Sequence, residues 1–238
     1  MVHRHIDGPE RQETIYNEAL GLYTEMDDQA GIAKILGALG GVALYRGDQK
    51  RASKLLEDAL ALARAHGDRS RIFWILKDLA MVAIGQNKYE QALVLLKKGL
   101  AAAREMEHVL MITWLLSLMG PTVVMLGDEG KGRELLEEGL ALSRDMMAPW
   151  LSVRCLEGLA FAAGVGGSAE KASRLYGTVE VLRETVDYYA ITWFPTQFDK
   201  GIGAVRAELG QAAFAAALAE GRSMTLDQAI DYALSDTE

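Results

Sequence analysis

Side chains able to ligate a metal, attack a substrate or move a proton are thinly spread along this chain. Its four histidines are His3, His5, His66 and His108. His66 and His108 fall at equivalent or near-equivalent ends of helices, where an imidazole caps or is solvated. His3 and His5 belong to a polar leader, and a metal site takes more ligands than these two. Cys155, the one cysteine, allows no internal disulfide and lies among apolar residues, as packed thiols do. The adjacent carboxylates Asp27–Asp28 and Glu137–Glu138 point in different directions on a helix. Neither pair can face one substrate as an acid–base dyad, and both read as solvated surface. Gly164-Val165-Gly166-Gly167 has the composition of a phosphate loop, but no strand precedes it. Gly-x4-Gly-Lys-Ser/Thr, Gly-x-Ser-x-Gly, Cys-x2-Cys and His-Glu-x2-His are all missing. The expectation is a chain with no catalytic residues, no cofactor and no metal.

Bulk properties narrow the class further. The 238 residues carry a formal net charge of −8, with 33 acidic against 25 basic side chains. That balance opposes direct binding of nucleic acid, which needs clustered Lys and Arg. Half of the residues are hydrophobic, enough for a continuous core, and only four are prolines. Residues 1–10 lack the apolar stretch of a signal peptide. The apolar run from Val109 to Leu126 is about the minimum length for a membrane span. It is broken by Thr113, Ser117, Gly120 and Pro121, and it reads as core. With a lone cysteine, these features predict a cytoplasmic protein with no membrane partner.

The elements that position everything else are repeats. Residues 39–60 return three more times at intervals of forty. Leu39, Leu79, Met119 and Leu159 form one column, and Gly47, Asn87, Gly127 and Gly167 a second. Ala52, Ala92, Gly132 and Ala172 form a third, and Leu56, Leu96, Leu136 and Tyr176 a fourth. Self-similarity of this kind marks a repeat architecture. Apolar residues recur at three- and four-residue spacing, as in Ile32, Leu36, Leu39, Val42 and Ala43, which predicts helices. The units read as helix pairs at 29–46 with 49–66, 69–86 with 88–106, 109–126 with 129–146, and 149–164 with 168–186. Before them come a leader at 1–8 and a lone helix at 10–26. In that helix Ile15, Tyr16, Ala19 and Leu20 are in register with Leu55, Leu56, Ala59 and Leu60. Small residues at 52, 92, 132 and 172, and at 40, 80, 120 and 160, let neighbouring helices approach. After 186 the period fails. An irregular connection with Trp193, Phe194 and Pro195 leads to shorter helices at 197–209, 211–221 and 225–235, the last capped by Ser223 or Thr225. The expected organisation is a repeat array over 1–186 and a helical cap over 187–238.

These columns resemble the tetratricopeptide repeat, a helix pair with large-x2-Leu-Gly/Ala in its first helix and Ala-x3-large in its second. Leu36-x2-Leu39-Gly40 followed by Ala52-x3-Leu56 carries the resemblance, as does Leu76-x2-Leu79-Ala80 followed by Ala92-x3-Leu96. The family's first-helix tyrosine is replaced by Ala43, Ala83, Val123 and Ala163. Its closing proline is missing, and the period here is forty rather than thirty-four. The fold implied is an all-α, right-handed superhelical solenoid of antiparallel helix pairs with a C-terminal helical cap. A narrower resemblance lies near the C-terminus. Ala172-Ser173-Arg174-Leu175-Tyr176-Gly177-x2-Glu180-x-Leu182-Arg183, and Phe214 to Leu234, look like the last repeats of bacterial LuxR-like, ATPase-containing regulators. In those proteins an ATPase module precedes the repeats and a DNA-binding module often follows. The implication is a regulatory arm of a transcriptional regulator.

In tetratricopeptide arrays the first helix of each pair lines the concave side. Carrying that register over places Lys34, Trp74, Trp114 and Arg154 in one inward column. Gly37, Lys77, Ser117 and Glu157 form the next, then Gly41, Met81, Pro121 and Phe161, with Tyr45 and Met125 beyond. The binding groove implied comprises Lys34, Tyr45, Trp74, Lys77, Met81, Trp114, Ser117, Arg154, Glu157 and Phe161. Trp74 and Trp114 either face that groove or pack between layers. A groove of this kind, apolar with a basic edge, suits an acidic amphipathic peptide or a partner's helix. The functional expectation is a non-catalytic module that binds a protein, a peptide or a small effector. The competing reading is an all-helical enzyme or ligand-processing domain. Lacking its partner, helix 10–26 leaves an apolar face, which predicts a homodimer formed through the N-terminal end.

Overall fold

The structure is a computed structural model that describes residues 9–186 and 195–235. The leader with His3 and His5, and the connection with Trp193 and Phe194, lie outside the described residues. Among the described residues there are twelve helices and no strand. They are α1 (Pro9–Glu25), α2 (Gln29–Tyr45), α3 (Gln49–Ala65), α4 (Arg69–Gly85), α5 (Tyr89–Glu105), α6 (Val109–Met125), α7 (Glu129–Asp145), α8 (Pro149–Val165), α9 (Ala169–Thr185), α10 (Pro195–Leu209), α11 (Gln211–Arg222) and α12 (Leu226–Leu234). No helix is long and apolar enough to cross a membrane among the described residues.

Each of α1 to α9 has 17 residues. A single turn design links them. Asp27, Gly47, Gly67, Asn87, Glu107, Gly127, Met147 and Gly167 all take positive φ, between 51° and 93°. That conformation ends a helix cheaply only at Gly or Asn. The following residue starts the next helix. Asp28, Asp48, Asp68 and Asp128 each accept the backbone N–H three residues on, at 2.9 to 3.1 Å, satisfying one donor of the open first turn. His108, Ala148 and Ser168 occupy the same position with no side-chain cap bond. The backbone therefore repeats every twenty residues, and the forty-residue sequence period is an alternation of helix types. First helices such as α4, α6 and α8 are buried on nearly every side, whereas α3 and α7 bury only one stripe.

The chain forms two compact units, residues 1–102 and 103–238, so the compaction boundary falls inside α5. In the first unit Ala52, Ala80 and Ala92 are fully buried. A Cβ on Gly40 would stand 2.6 Å from Leu56 Cγ, so α2 and α3 are seated at a distance only glycine permits. Tyr23 of α1 lies against Gly31 of α2, and Glu13 of α1 pairs with Arg46 and Arg51. No described side chain of α1 is buried, and Ile15 and Leu22 are 48% and 61% exposed.

In the second unit α6 and α7 cross at Gly120 and Gly132. A Cβ on Gly132 would meet the Gly120 carbonyl at 2.8 Å. Cys155 is completely buried, and burial pushes its thiol up to about 12. It therefore stays protonated and packs as a small apolar group. The terminal helices α10 to α12 pack within this same unit, chiefly on α8 and α9. Thr225, not Ser223, caps α12 through a reciprocal pair of bonds with Gln228 at 3.3 and 2.9 Å.

Candidate functional site

The two stretches that carry the narrower resemblance lie against each other. Gly177 of α9 faces the Leu218 carbonyl of α11, and Gly221 of α11 faces the Arg174 carbonyl of α9. Backbones this close exclude any side chain at either position. Ion pairs flank the crossing. Arg174 Nε donates to Glu220 at 2.7 Å, and Arg222 Nη2 donates to both oxygens of Glu180 at 2.9 and 2.8 Å. The Thr178 hydroxyl donates to the Gly221 carbonyl at 2.8 Å. The Glu220 contact, first among several, raises the Arg174 guanidinium above its usual range.

Beside this clasp a cleft of about 540 Å³ opens between α8, α9, α10 and α11. Glu157 reaches it from α8, Tyr176, Glu180 and Arg183 from α9, Phe198, Asp199 and Arg206 from α10, and Phe214 and Arg222 from α11. Glu157 is buried and pairs with Arg183. Burial pushes its carboxyl up, against the opposing pull of Arg183 and Arg154. Tyr176 is buried as well, and its hydroxyl has no hydrogen-bond partner among the described residues. Burial, with the Glu157 charge nearby, raises its phenol. The ring extends toward α10, where a Cβ on Gly201 would stand 3.2 Å from the hydroxyl oxygen. A hollow of similar size, about 580 Å³, lies at the start of α9. Its cations are engaged: Lys171 donates to the Ser235 carbonyl at 2.9 Å and lies over the Tyr232 ring, and Arg174 is held in the clasp.

The ten residues assigned to the groove divide between the units. In the first, Lys34 and Tyr45 are exposed, and Trp74 is 37% exposed. Lys77, placed in the groove by register, is buried: Asp78 holds its Nζ at 2.9 Å and the Trp74 ring lies 5.1 Å away. Met81 is buried. In the second unit Trp114 is half-buried with its ring edge-on to Trp150, centroids 5.3 Å apart. Ser117 is buried. Its hydroxyl donates to the Trp114 carbonyl at 2.7 Å and accepts from Arg154 Nε at 3.3 Å. Glu157 and Phe161 are buried near α10, with Phe161 packed on Phe198 at 5.2 Å between centroids. Arg154, Ser117 and Glu157 are thus brought close together and lead toward the cleft.

The cleft residues of α9, α10 and α11 escaped the groove assignment, which considered first helices only. The narrower resemblance nevertheless ran through Tyr176, Glu180, Arg183, Phe214 and Arg222. Tyr176 is also the one polar residue in a column otherwise filled by Leu56, Leu96 and Leu136.

The comparisons with known proteins fit this architecture. No family model matches the chain, and no curated protein matches it. Among solved structures, the chain is similar to the kinesin light chain nearly identical TPR-like repeats of Podosopora anserina, at TM-score 0.58 and 14% identity over 75% of this chain and 88% of that one. It is similar to a Rap protein complexed with competence and sporulation factor, at TM-score 0.64 and 14% identity over 93% and 70%. It is also similar to BtubC (BKLC) from P. vanneervenii, at TM-score 0.63 and 13% identity over 97% and 94%. At these identities the likeness establishes the fold: an all-α, tetratricopeptide-like solenoid of antiparallel helix pairs.

Proposed function

We propose that this chain is a non-catalytic interaction module, the regulatory arm of a bacterial transcriptional regulator, which binds a protein or peptide on the first-helix face of its repeats. The observation that carries the reading is the exposure of Tyr45 and Trp74 on α2 and α4, helices whose other large apolar residues are buried or half-buried. Exposed aromatics beside cations are common anchors of protein interfaces. Lys34 is exposed one repeat before Trp74 in the same column, and Lys77 lies over the Trp74 ring. Stacked helix pairs serve widely as binding surfaces, and the Rap protein of like fold was crystallised with a bound factor. The regulator assignment is supported by the α9–α11 clasp, which gives the narrower sequence resemblance a structural basis. The exposed Ile15 and Leu22 of α1 support self-association through the N-terminal end.

Fluorescence anisotropy tests the binding surface. Labelled acidic amphipathic peptides are expected to bind saturably, and more weakly as salt rises. Failure of every such peptide to bind at low salt removes the reading. Sedimentation over a range of concentrations tests the homodimer, and a Leu22→Glu variant is expected to be monomeric.

A further inference from the structure

Helix α10 is seated on the repeats differently from the helix that follows it. Its seam is Phe198, Gly201, Ile202, Val205 and Leu209, at the spacing of an amphipathic helix. Phe198 and Val205 are buried, and Ile202 and Leu209 are half-buried. The opposite side, from Asp199 and Lys200 to Arg206 and Glu208, is exposed. The seam fits α8 and α9 residue by residue. A Cβ on Gly164 of α8 would stand 2.9 Å from Val205 Cγ2, so Val205 fills a hole left by a missing side chain. A Cβ on Gly201 would stand 3.2 Å from both the Phe161 ring and the Tyr176 hydroxyl, so those two fill the reciprocal hole in α10. Phe161 belongs to the first-helix register, so α10 lies on a residue which that register assigns to a bound partner. The cleft runs along one side of this contact.

Three features leave α10 loosely held. A helix of 15 residues is marginal by itself, and Gly201 and Gly203 in its interior weaken it further. Packing explains Gly201 but not Gly203, whose Cβ position has open space around it. The Tyr176 hydroxyl, shut in beneath Gly201, has no hydrogen-bond partner among the described residues. Water reaches it once α10 leaves, and the cost of burying it unpaired is removed. Gly210, at φ +77°, joins α10 to α11 and turns without side-chain strain. Helix α11, by contrast, is fixed to α9 by the backbone crossing at Gly177 and Gly221 and by two ion pairs.

We infer that the face of α8 and α9 beneath α10 is a docking surface for an amphipathic helix of a partner protein, and that α10 is the resident occupant which this helix displaces. The partner helix carries the seam of α10: a large aromatic residue, a small residue three positions on, and aliphatic residues four and seven positions on. The inference rests on the interaction-module reading for the existence of a partner, but the Trp74 surface takes no part in it.

The test uses the whole chain and a fluorescent peptide of residues 195–209, followed by anisotropy. In the parent chain the tethered α10 competes at an effective concentration on the order of millimolar. A Val205→Asp chain, its own α10 loosened, is therefore expected to bind the peptide at least about tenfold more tightly than the parent does. The same peptide carrying Val205→Asp is expected to bind neither chain. In hydrogen exchange of the parent, the amides of α10 are expected to exchange together and at least about tenfold faster than those of α9 and α11. Gly203→Ala should slow them about fivefold, from the helix preference of alanine over glycine, and leave α9 and α11 unchanged. Should Val205→Asp fail to fold, exchange in the parent and in Gly203→Ala still decides. Three results overturn the proposal: peptide capture by Val205→Asp no tighter than by the parent, equal capture of the substituted peptide, or α10 amides exchanging no faster than those of α9 and α11. A chain that captures this peptide but no acidic amphipathic peptide supports the proposal and removes the Trp74 groove alone.

Discussion

Replacing Tyr176 by Phe removes one oxygen from the most enclosed part of the second unit. The ring is kept, so the packing of α9 against Phe161 and α10 changes by a single atom. In the empty protein that oxygen is shut off from solvent and has no hydrogen-bond partner. Leaving a buried hydroxyl unpaired costs about 1–3 kcal/mol. The cavity left by one missing oxygen is smaller than a methyl group, so a few tenths of a kcal/mol are lost in return. The net expectation is a gain of about 1–2 kcal/mol, which for a chain of this size raises the melting temperature by about 2–8 °C. Urea unfolding of the two proteins, fitted with a common m-value, measures the difference directly. A Phe variant less stable than the parent by about 1 kcal/mol or more would mean that the hydroxyl is satisfied in the empty protein. The reasoning about the cleft would then fail at its base.

Three further outcomes follow from the packing and the turns. Gly221→Ala would put a Cβ 2.7 Å from the Arg174 carbonyl carbon and closer still to its oxygen. Backbone must move to admit it, so a loss of about 1–3 kcal/mol or more is expected in chemical denaturation. Met147, at φ +51° and almost fully exposed, holds a conformation that costs a side-chain-bearing residue about 1–2 kcal/mol, so Met147→Gly should stabilise the chain by about 1 kcal/mol. Glu157 has its carboxyl raised by burial above the ordinary 4.5. The native state therefore holds that proton more tightly than the unfolded chain. The stabilisation is complete below the ordinary value and is lost as pH rises through the native one. Glu157→Gln should remove that decline, as read from urea midpoints measured across the acid range.

Much of the fold was legible because the repeat states it four times over. The columns at Leu39, Gly47 and Ala52 fixed the helix pairs to within a residue or two of their observed ends. The small residues marked where α2 meets α3 and α6 meets α7. The turns were only partly legible. Gly47, Gly67, Gly127 and Gly167 announce positive φ, but Asp27, Glu107 and Met147 do the same work with side chains that give no such signal. The site was read less completely, for a physical reason. Helical register says which residues share a face but not what later covers it. Glu157 and Phe161 were assigned to an open groove, yet they pack near α10, and the period gave no means of placing that helix. Lys77 was assigned to the same groove; its neighbour Asp78 and the Trp74 ring let it be buried. The cleft draws on three helices outside the first-helix set, so the groove register missed it, although the narrower resemblance ran through Tyr176, Glu180, Arg183 and Phe214.

The central claim is that the exposed first-helix aromatics bind a partner. It is tested most directly by Trp74→Ala, measured for stability by urea unfolding and for binding to an acidic amphipathic peptide by anisotropy. Trp74 is 37% exposed, so truncation is expected to cost less than the ~3–5 kcal/mol of an emptied aromatic core site, while peptide affinity falls more than about tenfold, as at an interface anchor. A loss of stability in the full core range with peptide binding unchanged would place Trp74 in the core and contradict the account.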